Sequence, residues 1–117
     1  MISEPEKLSK HARRHINRDS EELMLSAASA WEISIKWSLG KLKLPTSPSE
    51  FVPGHLAATK TFPLAIEHSH ALRVAALPHH HSDPFDRLLI AQAQVEKIPI
   101  LTADIHFKAY DVELIPA

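Results

Sequence analysis

Three acidic residues stand where an α/β fold would put chemistry. Glu32 lies in the first turns after the apolar stretch "LMLS", Asp86 in the first turn of the segment "DPFDRLLIAQAQ", and Asp104 at the end of "ILTAD". In open parallel sheets, ligands bind outside the carboxyl ends of the strands, where the following helices begin. That rule would bring all three to one edge. Hard divalent cations such as Mg²⁺ take oxygen ligands, typically a few carboxylates together with water and substrate phosphate, and this donor set suits them.

Each residue also has a local explanation. Ser29-x-x-Glu32 has the form of a capping box, so Glu32 could return a hydrogen bond to a helix start. Asp83 fits an N-cap with Pro84 at the first helical position, which puts Asp86 at the third, where a carboxylate also interacts favourably with the helix dipole. Asp104 could cap a short helix behind it. Taken singly, capping is the commoner role, and a chain in which all the acids are caps would be a non-enzymatic α/β domain. The coincidence of three acids from three separate units is what points to a site.

The histidines weigh less. His79, His80 and His81 precede the acidic segment and could approach a phosphate or a soft metal, but such a run in a loop reads as exposed. His55, His68, His70 and His106 show no ligand spacing with a second partner. No serine sits in a nucleophile-elbow sequence. Trp31 and Trp37, in a helical context, read as core and interface aromatics rather than as base-stacking platforms.

The elements that must carry these residues follow from periodicity. Ser3-Glu4-Pro5-Glu6 is another capping box, and Leu8, Ala12 and Ile16 recur at four-residue intervals, which predicts a helix over residues 4 to 17. "ELMLS" reads as a strand running into the helix "AASAWEISIKWSLG", with Gly40 as its left-handed stop. A proline-punctuated loop follows, with a possible helical turn after Ser47-Pro48 and a short helix in "GHLAATKTF". "FPLAIE" reads as a strand and "EHSHALRVAAL" as a helix. In the last third, helix "DPFDRLLIAQAQVEK", strand "IPILTAD", short helix "IHFKAY" and closing strand "VELI" alternate. The pattern predicts an α/β sandwich around a mainly parallel sheet.

Composition sets the outer bounds. The 117 residues, 44% of them hydrophobic, suit one domain with a single core. A formal net charge of −1 leaves no strongly basic surface overall, so any nucleic-acid contact must be local. The absence of cysteine excludes disulfides, thiolate zinc sites and a cysteine nucleophile, and makes a reducing cytoplasm the expected compartment. With two glycines there is no phosphate-cradling glycine loop. No apolar stretch approaches the ~20 residues needed to span a bilayer, and no membrane partner is expected.

Three segments together, "LSAASAWEISIKWSLGKLKLP", "HSDPFDRLLIAQAQVEKIPILTAD" and "FKAYDVELI", resemble the PIN-domain ribonucleases, and within them the VapC-like toxins of bacterial toxin–antitoxin pairs. The resemblance implies a three-layer α/β/α sandwich whose parallel sheet gathers acidic residues at its carboxyl edge to hold Mg²⁺ or Mn²⁺ for hydrolysis of RNA phosphodiesters. By position, Glu32, Asp86 and Asp104 match the family's catalytic, metal-holding acids, Thr102 its supporting threonine, and Asp83 is the cap. The implied partners are an RNA substrate, a cognate antitoxin and a second copy of the chain.

One part of the pattern has no counterpart. Family members begin with a hydrophobic strand ending in an aspartate, and no residue here takes that place. The expected chain is therefore a single PIN-like domain over residues 1–117, N-terminally truncated, without the central first strand and short of the first catalytic aspartate. Three outcomes are open: a gene start assigned too late, a sheet closed in another way, or dependence on a partner. The alternative function is a catalytically inactive remnant that binds an antitoxin or a full-length toxin.

Overall fold

The computed structural model describes residues 14–17, 20–102 and 105–116. Five strands form one sheet: β1 Arg14–Asn17, β2 Glu22–Ser26, β3 Phe62–Leu64, β4 Ile100–Leu101 and β5 Leu114–Ile115, in the order β3-β2-β1-β4-β5. Strand β2 is parallel to β3 and β4 to β5, whereas β1 is antiparallel to both of its neighbours. Four strands therefore share one direction and only β1 opposes them. Their carboxyl ends, Ser26, Leu64, Leu101 and Ile115, lie along one edge.

The gap expected at the centre of the sheet is closed by β1. Residues 14 to 17, which periodicity assigns to the end of a helix, pair instead with β2 from Arg14 opposite Leu25 to Asn17 opposite Glu22, and with β4 at Leu101 and Ile100. The physical reason is the ladder. Buried strand edges leave N–H and C=O groups that cost ~1 to 3 kcal/mol each when unpaired, far more than the small helix propensity of a short segment. The remainder of the expected first helix, residues 4 to 13, lies outside the described residues.

Alternation along β1 ties the sheet to both outer layers. Arg14 donates to His55 Nε2 at 2.8 Å on one face, and His15 Nε2 donates to the Leu89 carbonyl at 3.3 Å on the other. The first face carries helices α1 Ala27–Ser38 and α2 Pro48–Thr59 over a core of Leu25, Ile33 and Leu42. The second carries α3 His68–Arg73 and α4 Pro84–Glu96 over Leu77, Ile90, Ala91, Ala93, Ile100, Phe107 and Tyr110. The result is the three-layer α/β/α arrangement. Helix α2 is longer than expected: the turn at Pro48 and the segment after Gly54 are one helix, with Pro53 inside it. No helix among the described residues is long and apolar enough to cross a membrane.

Helix α1 starts earlier than the capping box at Ser29 requires. Its N-cap is Ser26, whose hydroxyl accepts from Ala28 N at 3.1 Å, and Gly40 follows its end with φ +73°. Glu32 is the sixth helical residue. It is too far along to cap anything, and the local explanation for its carboxylate falls away.

Candidate functional site

Helix α4 begins as its sequence demands. Asp83 is the N-cap, its Oδ1 accepting from Phe85 N at 2.9 Å and Asp86 N at 3.2 Å, and Pro84 occupies the first helical position. That cap fixes Asp86 in the first turn, where its side chain is buried, 4% exposed. The Oδ2 of Asp86 accepts from His81 Nε2 at 2.8 Å. One ligand atom from each of His81, Asp83 and Asp86 lies within 4.8 Å of the others, a grouping that could hold a metal ion.

Glu32 reaches the same neighbourhood from α1. It is 3% exposed, and Lys36, one turn on, approaches its Oε2 at 3.2 Å. Its Oε1 is buried with no hydrogen-bond partner among the described residues. Burial raises the Glu32 pKa above the usual carboxylate range, Lys36 counteracts this, and the charges of Asp86 and Asp83 push it up again. Two buried carboxylates on two helices thus repel each other across the carboxyl edge of the sheet. Such an arrangement costs folding energy and is what a bound cation would relieve.

The loop ahead of Asp83 is held by a residue to which the sequence reading assigned no role. Arg87, buried, has its two terminal nitrogens within hydrogen-bond distance of five oxygens: Val74 O, Leu77 O, Pro78 O, His81 O and Tyr110 Oη, at 2.9 to 3.4 Å. Tyr110 Oη in turn accepts from His81 N at 2.8 Å. Together they fold residues 78 to 81 back over the start of α4. His81 also stacks on His106, with centroids 5.2 Å apart and planes 5° from parallel.

Of the residues singled out from sequence, Glu32, Asp83 and Asp86 come together. Thr102 is buried directly after β4 on the same edge, its N–H donating to the Ile115 carbonyl at 3.0 Å. Asp104 lies outside the described residues. His81, expected to be exposed, is half-buried and bonded to Asp86; its place two residues before the cap at Asp83 is the available signal. Lys36 was legible from its i,i+4 spacing after Glu32. Trp31 corrects the other expectation: it is 57% exposed and in no core, and packs edge-on against Phe85 with ring centroids 4.8 Å apart.

Comparison with known proteins gives one partial sequence match and one family match. Ribonuclease VapC16 of Mycobacterium tuberculosis (strain ATCC 25618 / H37Rv) is 46% identical over 48 residues, a match covering 41% of this chain and 34% of that protein. The match thus spans about a third of the length of the curated relative. No solved structure matches the chain. The sequence matches the PIN domain over residues 1–113, which is nearly its whole length, and the chain belongs to that family.

Proposed function

We propose that the chain is a metal-dependent endoribonuclease, the toxin component of a toxin–antitoxin pair, acting in the cytoplasm as a single PIN domain that pairs with a second copy and is held in check by a cognate antitoxin. The observation that carries this reading is the buried pair Glu32 and Asp86, with Glu32 Oε1 without a donor among the described residues. A buried carboxylate oxygen placed beside a second carboxylate is suited to a cation. Family membership and the relative named as a ribonuclease support the substrate class.

The donor set fits Mg²⁺ or Mn²⁺, because it is dominated by carboxylate oxygens. Glu32 and Asp86 would hold the ion, with Asp104 the third acid by resemblance and Thr102 in support. When bound, such an ion supplies a water of lowered pKa and stabilises charge on the phosphate and the leaving oxygen. The chain's own residues prepare the rest. Asp83 caps α4 and so fixes the backbone of Asp86, and His81 holds one oxygen of Asp86 in place. Lys36 restrains Glu32 Oε2. A carboxylate of the same cluster takes the proton of the attacking water.

A second reading is favoured by one feature of the sheet. Arg14 of β1 stands opposite Leu25 and Leu101, the residues just before the carboxyl-edge positions Ser26 and Thr102. Its guanidinium is bonded to His55 of α2, and an antiparallel strand with no carboxylate at this edge suits an inactive form that binds an antitoxin or a full-length toxin. Incubating the chain with single-stranded RNA in Mg²⁺ and in EDTA separates the two. Cleavage in Mg²⁺ alone supports the nuclease; no cleavage, with an antitoxin captured in a pull-down, supports the inactive form.

A further inference from the structure

The two aromatic rings beside the acidic pair are placed by the same local geometry that places the acids. Trp31 immediately precedes Glu32 on α1, and Phe85 immediately precedes Asp86 on α4. The two helices bring the carboxylates together inside and, one residue earlier on each, bring the rings together outside. The rings meet edge to face, with centroids 4.8 Å apart and planes at 66°. Trp31 is 57% exposed even so, an unusual position for the largest apolar side chain in a protein.

We propose that Trp31, braced by Phe85, is a stacking platform for an unpaired nucleobase of the RNA whose phosphate lies at Glu32 and Asp86. The assignment rests on the nuclease reading given above for the phosphate's position and adds the contact that holds the neighbouring base. Single-stranded RNA is bound mainly through bases splayed onto aromatic rings, which is sequence-tolerant because every base has a π-face. A chain with net charge −1 has little bulk electrostatic attraction for RNA, so stacking has more of the binding to supply.

What favours a base over a protein partner is the place of the ring pair directly beside the acids. Trp37 on α1 and Leu39 just after it are also exposed. At 3.6 residues per turn, Trp37 lies about 120° around the helix from Trp31, whereas Ile35 and Leu39, four and eight residues on, continue its side as a narrow strip leading away from the acids. Stable protein interfaces bury roughly 800 Å² per partner around clustered anchors. A two-ring ledge beside a pair of acids is the scale of one base.

The test uses the whole chain in a Trp37→Phe background, where Trp31 is the single tryptophan. Fluorescence is followed in Mg²⁺ during titration with a single-stranded oligoribonucleotide and with an abasic oligomer of equal length, both with hydrolysis-resistant phosphorothioate linkages so that no cleavage intervenes. Trp31 emission should be quenched by the first and not by the second. In direct binding, Trp31→Ala should weaken RNA affinity about five- to a hundredfold, the range expected for loss of one stacked base, and Trp31→Tyr should restore most of it. Melting curves establish that both variants fold. Unchanged RNA affinity in Trp31→Ala would overturn the proposal, as would loss of self-association in its place. Cleavage is scored separately with Asp86→Asn: if stacking persists and no variant or parent cleaves RNA, the platform stands and the nuclease reading fails.

Discussion

Glu32 and Lys36 form an ion pair one helical turn apart, 3.2 Å between Oε2 and Nζ, while the other oxygen of Glu32 is buried beside Asp86 with no donor among the described residues. The pair neutralises only half of what the fold has buried. A site of this kind is destabilising until a cation enters it, and the balance between stability and function can be measured.

Replacing the charge shows the sign of that balance. The Glu32 pKa is raised in the folded state, chiefly by burial, so its ionisation opposes folding. Its contribution is favourable below the unfolded value and is lost as pH rises through the folded one. Glu32→Gln should therefore melt at a higher temperature than the parent at pH 7 without metal, with the gap closing as pH falls toward 4. In Mg²⁺ the order should reverse, because only the parent gains from binding.

His15 gives the opposite pH dependence. It is fully buried in β1, and desolvation brings its pKa down to about 4. Between the unfolded value of about 6.5 and that figure the unfolded chain takes up a proton that the folded one refuses. Stability is fully present above pH 6.5 and should fall by about 3 kcal/mol as pH drops to 4. Urea denaturation at pH 7, 5.5 and 4.5 would measure the slope, and His15→Leu should flatten it.

Arg87 should prove structural. Arg87→Met leaves several of the five oxygens around it short of a donor, each costing about 1 to 3 kcal/mol, so a loss of roughly 3 kcal/mol or more is expected in chemical denaturation. Tyr110→Phe removes one hydroxyl from the same network and should cost about 1 kcal/mol. Both should lower any metal affinity by freeing the loop that carries His81.

How much of this was legible in the sequence depended on whether the signal was local. Asp83-Pro84 announces its helix through capping chemistry that needs no tertiary information, and the strand at Glu22–Ser26 carries its own apolar run. The segment Arg14–Asn17 reads as helix by periodicity and is a strand because β2 and β4 stand on either side of it. Pro53 and Gly54 are punctuation locally and predict two short pieces in place of helix α2, and packing of Phe51, Val52 and Leu56 on Leu25, Ile33 and Leu42 overrides them. In the site, Glu32, Asp86 and the cap at Asp83 were legible from spacing. Arg87 and Trp31 were not, because their roles depend on what lies across from them in space, and His81 carried only its place two residues before the cap.

The most direct measurement is the rate of RNA cleavage by the whole chain in Mg²⁺, compared with Glu32→Gln and Asp86→Asn under the same conditions. Metal-dependent cleavage by the parent that falls at least a hundredfold in both variants, each still folded by circular dichroism, is the predicted result. Cleavage that persists in either variant, or a parent that leaves RNA intact at any Mg²⁺ concentration, would contradict the account.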